Sequence, residues 1–109
     1  DVRADNVLIT VDGAVLVDWA QPGAGAPWVD LILFLPSAEL AGAPPCASVW
    51  DAHGRDLPGD ALAVVVATIT GYFTSRALDP ALPGLPTIRR FQADQAAVAL
   101  RWLQSIVDG

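Results

Sequence analysis

Three polar residues flank two short apolar runs near the start of the chain, and two of them, Asn6 and Asp18, have the types and the spacing that could bind a metal ion. Asp1 and Asn6 precede a short apolar run, and Asp18 follows a second one. Carboxylate and amide oxygens are ligands that Mg²⁺ prefers, and a magnesium site usually keeps positions for water and phosphate oxygens. The pattern therefore predicts a site for a hard cation such as Mg²⁺, provided that the fold brings Asn6 and Asp18 together.

The fold predicted for this stretch is a β-hairpin. Residues 7–11 and 14–17 are rich in β-branched side chains, and the Asp12-Gly13 pair between them is a strong signal for a tight turn. An antiparallel hairpin brings its two open ends together. We therefore expect Asn6 and Asp18 to lie side by side, with Asp1 nearby.

Residues 1–8 (DVRADNVL), together with 16–19 (LVDW), resemble the catalytic segment of the aminoglycoside phosphotransferase and choline kinase family, which has a protein kinase-like fold. The resemblance implies that Asp1 is the catalytic base that accepts the proton of the substrate hydroxyl. It also implies that Asn6 and Asp18 hold Mg²⁺ and, with it, the phosphates of ATP or GTP. The pair Asp30-Leu31 matches an Asp-Leu pair of the family, which implies that Asp30 braces the catalytic loop by hydrogen bonding.

Each of these residues also has a purely structural interpretation. Asp and Asn are common in loops and turns, and short motifs often occur by accident. Asp30 follows Pro27 closely, and both residues suit the first turn of a helix, where a carboxylate stabilises the helix dipole. The lone His53 has no partner at metal-ligand spacing, so we expect it to be an exposed loop residue.

The length of 109 residues predicts a single domain over residues 1–109. No segment approaches the ~20 apolar residues of a membrane-spanning helix, so we expect no membrane contact. The single Cys46 forms no disulfide within the chain, which is compatible with a reducing cytoplasm. These features favour a cytoplasmic location.

The charge pattern bears on the kinase-like interpretation. The net charge is −6, and the basic residues are all arginines, with no lysine. An acidic chain without clustered basic residues is not expected to bind nucleic acid. Kinase-like folds hold the nucleotide with a lysine and a Gly-rich loop in their N-terminal lobe. We therefore predict that residues 1–109 are a C-terminal-lobe fragment whose N-terminal nucleotide lobe is absent.

The periodicity of apolar residues predicts a mostly helical α+β chain, in which the hairpin is followed by three or four helices. The clearest helices are residues 57–77, with Asp60 as the cap, and residues 87–107. Gly71 inside the first of these destabilises it by about 1 kcal/mol relative to alanine, so we expect it to mark close packing.

Two shorter helical segments are predicted between the hairpin and these helices. One begins near Pro27, and Pro36 should end it or start a fresh turn. The other is a single short turn within residues 46–54, around Val49 and Trp50.

The first functional hypothesis is a phosphotransferase that moves the γ-phosphoryl group of a nucleoside triphosphate to a hydroxyl of a small molecule. The acidic composition favours a cationic acceptor, such as an aminoglycoside or an amino alcohol. The isolated chain should be inactive without the nucleotide lobe. The alternative is a non-catalytic helical interaction or assembly module derived from a kinase-like fold.

Both hypotheses predict an exposed apolar surface. The hydrophobic fraction is 53% and the mean hydropathy is +0.44, which is high for a small domain. We expect the surplus to form a patch that contacts either the missing N-terminal lobe or a second copy in a homodimer.

Overall fold

A computed structural model describes residues 7–16 and 28–109 of the chain. The elements in these residues are β1 (Val7–Thr10), β2 (Gly13–Leu16), α1 (Val29–Leu40), α2 (Cys46–His53), α3 (Ala61–Ala77) and α4 (Ile88–Asp108). The predicted mostly helical α+β class, with a hairpin followed by helices, is confirmed. None of the four described helices combines the length and the hydropathy needed to cross a membrane.

The hairpin pairs β1 and β2 antiparallel, with Thr10 opposite Gly13 at its closed end. Its two turn residues are Val11 and Asp12, so the turn begins one residue earlier than predicted. Gly13 has φ of +124°, a conformation that glycine adopts at little cost. The Thr10 hydroxyl donates a hydrogen bond to the Gly13 carbonyl at 2.9 Å and accepts one from the Asp12 N–H at 3.3 Å. These bonds close the turn.

Helices α3 and α4 pack along their length and form the main part of the helical body. Val66, Ile69 and Phe73 on α3 are buried, and so are the α4 residues Val98 and Trp102. Burying one large apolar side chain stabilises a fold by about 1.5–3 kcal/mol. The apolar periodicity that predicted these two helices therefore corresponds to the surfaces through which they pack. The buried core contains Ile32, Leu35, Cys46, Trp50, Val66, Ile69, Phe73, Ala96, Val98, Ala99 and Trp102.

Helix α1 continues through Pro36, so the predicted break or fresh turn at this residue is wrong. Proline inside a helix removes one backbone hydrogen bond and costs about 3 kcal/mol in isolation. Here Pro36 is fully buried, and Ile32 and Leu35 are 0% and 2% exposed. The packing of α1 against α2, α3 and α4 offsets the local cost.

Two details of the α3 prediction need correction. Gly71 is exposed, and a Cβ added there would meet no atom within 4 Å, so the predicted close packing is wrong within the described chain. The residues just before Ala61 form a bend and a turn rather than a first helical turn. Asp60 occupies the predicted cap position, but its side chain makes no capping hydrogen bond.

The apolar side chains of the described residues fall into a buried set and an exposed set. The apolar residues at helical spacing, such as Trp28, Leu31 and Ile106, are in the core or pack against it. The exposed ones lie in the hairpin and on the outer surfaces of the helices and their loops. They include Leu8, Ile9, Val11, Val64, Tyr72 and Leu78.

Candidate functional site

The register of the hairpin determines which residues lie opposite each other next to the predicted metal ligands, Asn6 and Asp18. Val7 is paired with Leu16 at the open end. Along the chain, Asn6 directly precedes Val7, and Asp18 follows Leu16 by two residues. Asp1, Asn6 and Asp18 themselves lie outside the described residues, so their grouping stays a prediction.

Asp30 is an exposed residue in the first turn of α1. Its carboxylate has no hydrogen-bond partner among the described residues. A carboxylate in this position stabilises the helix through its dipole, which agrees with the helix-start interpretation. The proposed brace would act on the loop at Asp1 and Asn6, which lies outside the described part, so that role stays a prediction.

Other acidic, His and Cys side chains do not form a further metal site within residues 7–16 and 28–109, where no group of three or more of them could hold an ion. His53 is exposed, as expected, although it is the last residue of α2 rather than a loop residue. Its position gives no reason to assign it a ligand role.

A groove of about 560 Å³ lies between the α2–α3 connection and the C-terminal end of α4. Apolar side chains form one part of its wall, and three charged side chains form the rest. The apolar group includes Trp50, Leu57, Leu62 and Ile106, and the charged group is Arg55, Asp56 and Asp60. An apolar wall with a few charged groups is the usual composition of a small-molecule site.

The indole of Trp50 is held firmly in this wall. Its ring centroid lies 6.3 Å from that of Trp102, with the two ring planes at 54°. Gly54 follows α2 and packs directly on the indole, since a Cβ added there would come within 2.5 Å of the ring. Trp50 is only 8% exposed and belongs to the buried core, so it supports the wall of the groove and presents little aromatic surface to a ligand.

Glu39 joins three helices at another surface. Its Oε2 accepts a hydrogen bond from the Cys46 backbone N–H at 2.9 Å, which caps the N-terminus of α2. Its Oε1 lies 3.5 Å from Nη2 of Arg101 on α4. The Arg101 side chain is 63% exposed, so this ion pair is solvent-screened and adds little stability.

The Cys46 thiol next to this junction is not a nucleophile candidate. Burial, followed by hydrogen bonding with Glu39 and the negative charge of Glu39, raises the pKa of the thiol well above its usual range. A thiol reacts as the thiolate, and this environment keeps Cys46 protonated. We therefore assign Cys46 to the core.

The sequence reasoning missed the Glu39 cap and the Trp50–Gly54 contact. One signal for the cap was available, because Pro45 precedes α2 and has no side-chain acceptor for the first N–H groups of the helix. A helix that starts in this way needs an acceptor from elsewhere. The contact between Gly54 and the indole has no comparable signal in the sequence.

Comparison of the chain with family models, with curated proteins and with solved structures finds no match in any of the three. What the described residues define is a four-helix body with a two-stranded antiparallel hairpin. The resemblance to kinase-like phosphotransferases therefore rests on the sequence of residues 1–8 and 16–19 and on the Asp30-Leu31 pair.

Proposed function

We propose that the chain is the C-terminal-lobe portion of a small-molecule phosphotransferase that resembles the aminoglycoside phosphotransferase and choline kinase family. The observation that carries the proposal is the hairpin between the two parts of the motif. Its register pairs Val7 with Leu16, so the strands that lead to Asn6 and Asp18 end beside each other. This is the arrangement that a shared metal site requires.

In the proposed reaction, Asp1 accepts the proton of the acceptor hydroxyl as that oxygen attacks the γ-phosphorus of ATP or GTP, and the bond from this phosphorus to the bridging oxygen breaks, so that ADP or GDP leaves. Asn6 and Asp18 would supply an amide and a carboxylate oxygen, a donor set that fits Mg²⁺. The bound ion would neutralise charge on the phosphates. Asp30 would keep its proposed role as a brace of the loop that carries Asp1.

The proposed acceptor is a small cationic alcohol of the aminoglycoside or amino-alcohol type. Two features support this class: the net charge of −6, and the groove, in which the two carboxylates of Asp56 and Asp60 outweigh the single positive charge of Arg55. A nucleotide donor and the free thiol of Cys46 are both in keeping with a cytoplasmic location, which is part of the proposal.

A titration with Mn²⁺, followed by NMR of the ¹⁵N-labelled chain, tests the metal site directly. Mn²⁺ replaces Mg²⁺ at oxygen ligands and broadens nearby signals. The amides of Val7 and Leu16 should broaden first. Asp18→Ala should remove this effect, whereas Asp12→Ala, at the closed end of the hairpin, should leave it intact. Broadening that survives Asp18→Ala would contradict the assignment.

A phosphotransfer assay tests the assignment to the C-terminal lobe. The chain has no lysine to hold nucleotide phosphates, so by itself it should not transfer phosphate from Mg-ATP to an aminoglycoside or to choline. In a protein that joins this chain to a nucleotide lobe, Asp18→Ala should abolish transfer. Clear activity of the 109-residue chain alone would refute the lobe assignment.

The second candidate function is a non-catalytic interaction or assembly module. The exposure of Leu8, Ile9 and Val11 in the hairpin favours it, because these apolar side chains have no cover among the described residues. The Mn²⁺ titration separates the two candidates. A chain that binds no metal ion at the hairpin, even in the presence of ATP, would favour the second.

A further inference from the structure

The groove between the α2–α3 connection and the C-terminal end of α4 contains charges of both signs. Its lining includes the carboxylates of Asp56 and Asp60 and the guanidinium group of Arg55, and all three residues are exposed. The ion pairs between described side chains join other residues, so these three charges are unpaired within the described part of the chain. Each of them is therefore available to a ligand.

The backbone that carries Arg55 is held at the wall of the groove by Gly54. This glycine follows α2 in an extended conformation, and its N–H donates to the Trp50 carbonyl at 2.7 Å. A Cβ added to Gly54 would collide with Trp50, so the backbone lies directly against the indole. His53 lies in an adjoining pocket, which shares Arg55 with the groove. Arg55 therefore contributes its positive charge from a fixed backbone position.

The charges of the groove match a ligand with one positive group. Two carboxylates and one guanidinium group leave the lining with an excess of a single negative charge. One ammonium group on the ligand would bring the groove to neutrality. A second ammonium group would find no unmatched carboxylate and would be repelled by Arg55, because like charges that share a site oppose each other.

The uncharged part of the groove favours a carbon frame on the ligand. Leu57, Leu62 and Ile106 form part of its wall and pack against the core, which fixes their positions. The volume of about 560 Å³ lies within the range of ordinary small-molecule sites. The groove thus suits a small molecule that carries one ammonium group on a partly apolar frame.

We propose that Arg55 is a specificity-determining residue that limits the groove to acceptors with a single ammonium group. This inference rests on the proposed function, in which the groove holds the acceptor of the phosphotransferase. It narrows the acceptor class, because it favours amino alcohols with one ammonium group over aminoglycosides, which carry several. Arg55 acts on binding, by repelling a second ammonium group, and this is a repulsive element of the kind that specific sites use.

Three ligands with the same four-carbon frame test the proposal: butanediol, aminobutanol and diaminobutane, each substituted at both ends. They carry no, one and two ammonium groups at neutral pH. NMR titration of the ¹⁵N-labelled chain follows the amides of Leu57, Leu62 and Ile106. Wild-type chain should bind the two amines with Kd values within about threefold of each other, because the second ammonium group gains no partner. Butanediol should shift these signals least.

Substitutions of Arg55 test whether its charge sets this preference. Arg55→Gln should lower Kd about threefold for aminobutanol and about tenfold for diaminobutane, since the electrostatic effect grows with the charge of the ligand. Arg55→Lys keeps the charge and should bind both amines like wild type.

Arg90→Gln is the matched control, because it changes the net charge of the chain by the same amount at an exposed position. Arg90 lies about 24 Å from Ile106 along α4 at 1.5 Å per residue. That distance exceeds the Debye length of about 8 Å at physiological ionic strength, so both Kd values should stay within about twofold of wild type.

Three results would overturn the proposal. The first is a wild-type chain that binds diaminobutane at the groove more than about tenfold tighter than aminobutanol. The second is an equal effect of Arg55→Gln and Arg90→Gln. The third is a groove that binds neither amine. The Mn²⁺ titration at Val7 and Leu16 tests the phosphotransferase assignment independently, so a failure of the Arg55 role can be told apart from a failure of the proposed function.

Discussion

In the helical body, Trp50 and Trp102 are 8% and 4% exposed, whereas Leu8 and Ile9 in the hairpin are 56% and 82% exposed. Successive residues of a strand point to opposite faces of a sheet. The exposure of both Leu8 and Ile9 therefore means that neither face of the hairpin is covered at these positions by the described residues. The two regions use similar side chains in opposite ways.

The difference in burial indicates which region contributes most to the free energy of unfolding. Four helices bury one continuous cluster, and that cluster offsets even a proline inside α1. A two-stranded hairpin without a covered face is only marginally stable in water. We therefore expect the helices to unfold cooperatively, and the hairpin to contribute little to that transition unless it contacts another part of the protein.

The largest expected effect separates the two regions directly. Trp102→Ala should lower the free energy of unfolding by about 3–5 kcal/mol, because it opens a cavity beneath Trp50. Ile9→Ala in the hairpin should change it by less than about 0.5 kcal/mol. Urea denaturation followed by circular dichroism measures both. Similar losses for the two variants would mean that the hairpin packs as tightly as the core.

Gly54→Ala should have the next largest effect. The new methyl group would collide with the Trp50 ring, and overpacking of this kind costs about 1–3 kcal/mol. The tryptophan fluorescence spectrum should shift as the indole moves. An unchanged stability and spectrum would show that the wall of the groove is less rigid than the contact implies.

Gln95 is a polar residue inside the core, and it tests how complete the helical body is. It is 1% exposed, and its Nε2 has no hydrogen-bond partner within the described chain. Gln95→Leu should therefore raise the free energy of unfolding by about 1–2 kcal/mol. The exposed Gln104→Leu serves as the control and should have almost no effect. A loss of stability in Gln95→Leu would reveal a partner for the amide outside the described residues.

The Glu39 junction should contribute a moderate amount. Glu39→Ala removes the acceptor that caps α2 and should cost about 0.5–2 kcal/mol. Arg101→Ala removes only the exposed ion pair and should cost less than about 1 kcal/mol. Thermal unfolding at low and high salt separates the two, since only the ion pair is strongly screened. Equal losses for both variants would assign the stability to the ion pair instead of the cap.

The smallest expected effect is a gain at Gly71. Gly71→Ala should stabilise the chain by up to about 1 kcal/mol, because the position is exposed and helical and has room for a methyl group. The opposite signs for Gly54→Ala and Gly71→Ala would sharpen the contrast between the buried and exposed surfaces. Chemical denaturation at low protein concentration gives both values.

The candidate site was only partly predictable. The hairpin between Asn6 and Asp18 follows from its β-branched runs and turn residues, which act over a few positions, and the observed hairpin differs only by one residue at the turn. The grouping of Asp1, Asn6 and Asp18 lies outside the described residues and stays a prediction. The groove at Trp50 is formed by residues from α2, α3, α4 and a loop, so no local sequence pattern predicts it.

The elements whose signals are local could be predicted from the sequence. The apolar spacing of α3 and α4 indicated both helices, because helical periodicity is a property of adjacent turns. The continuation of α1 through Pro36 and the cap of α2 by Glu39 depend on tertiary contacts. The same holds for the two glycines, since Gly71 is exposed to solvent whereas Gly54 packs on the indole of Trp50. Each of these depends on atoms far away in the chain, whose contacts outweigh or redirect the local preference.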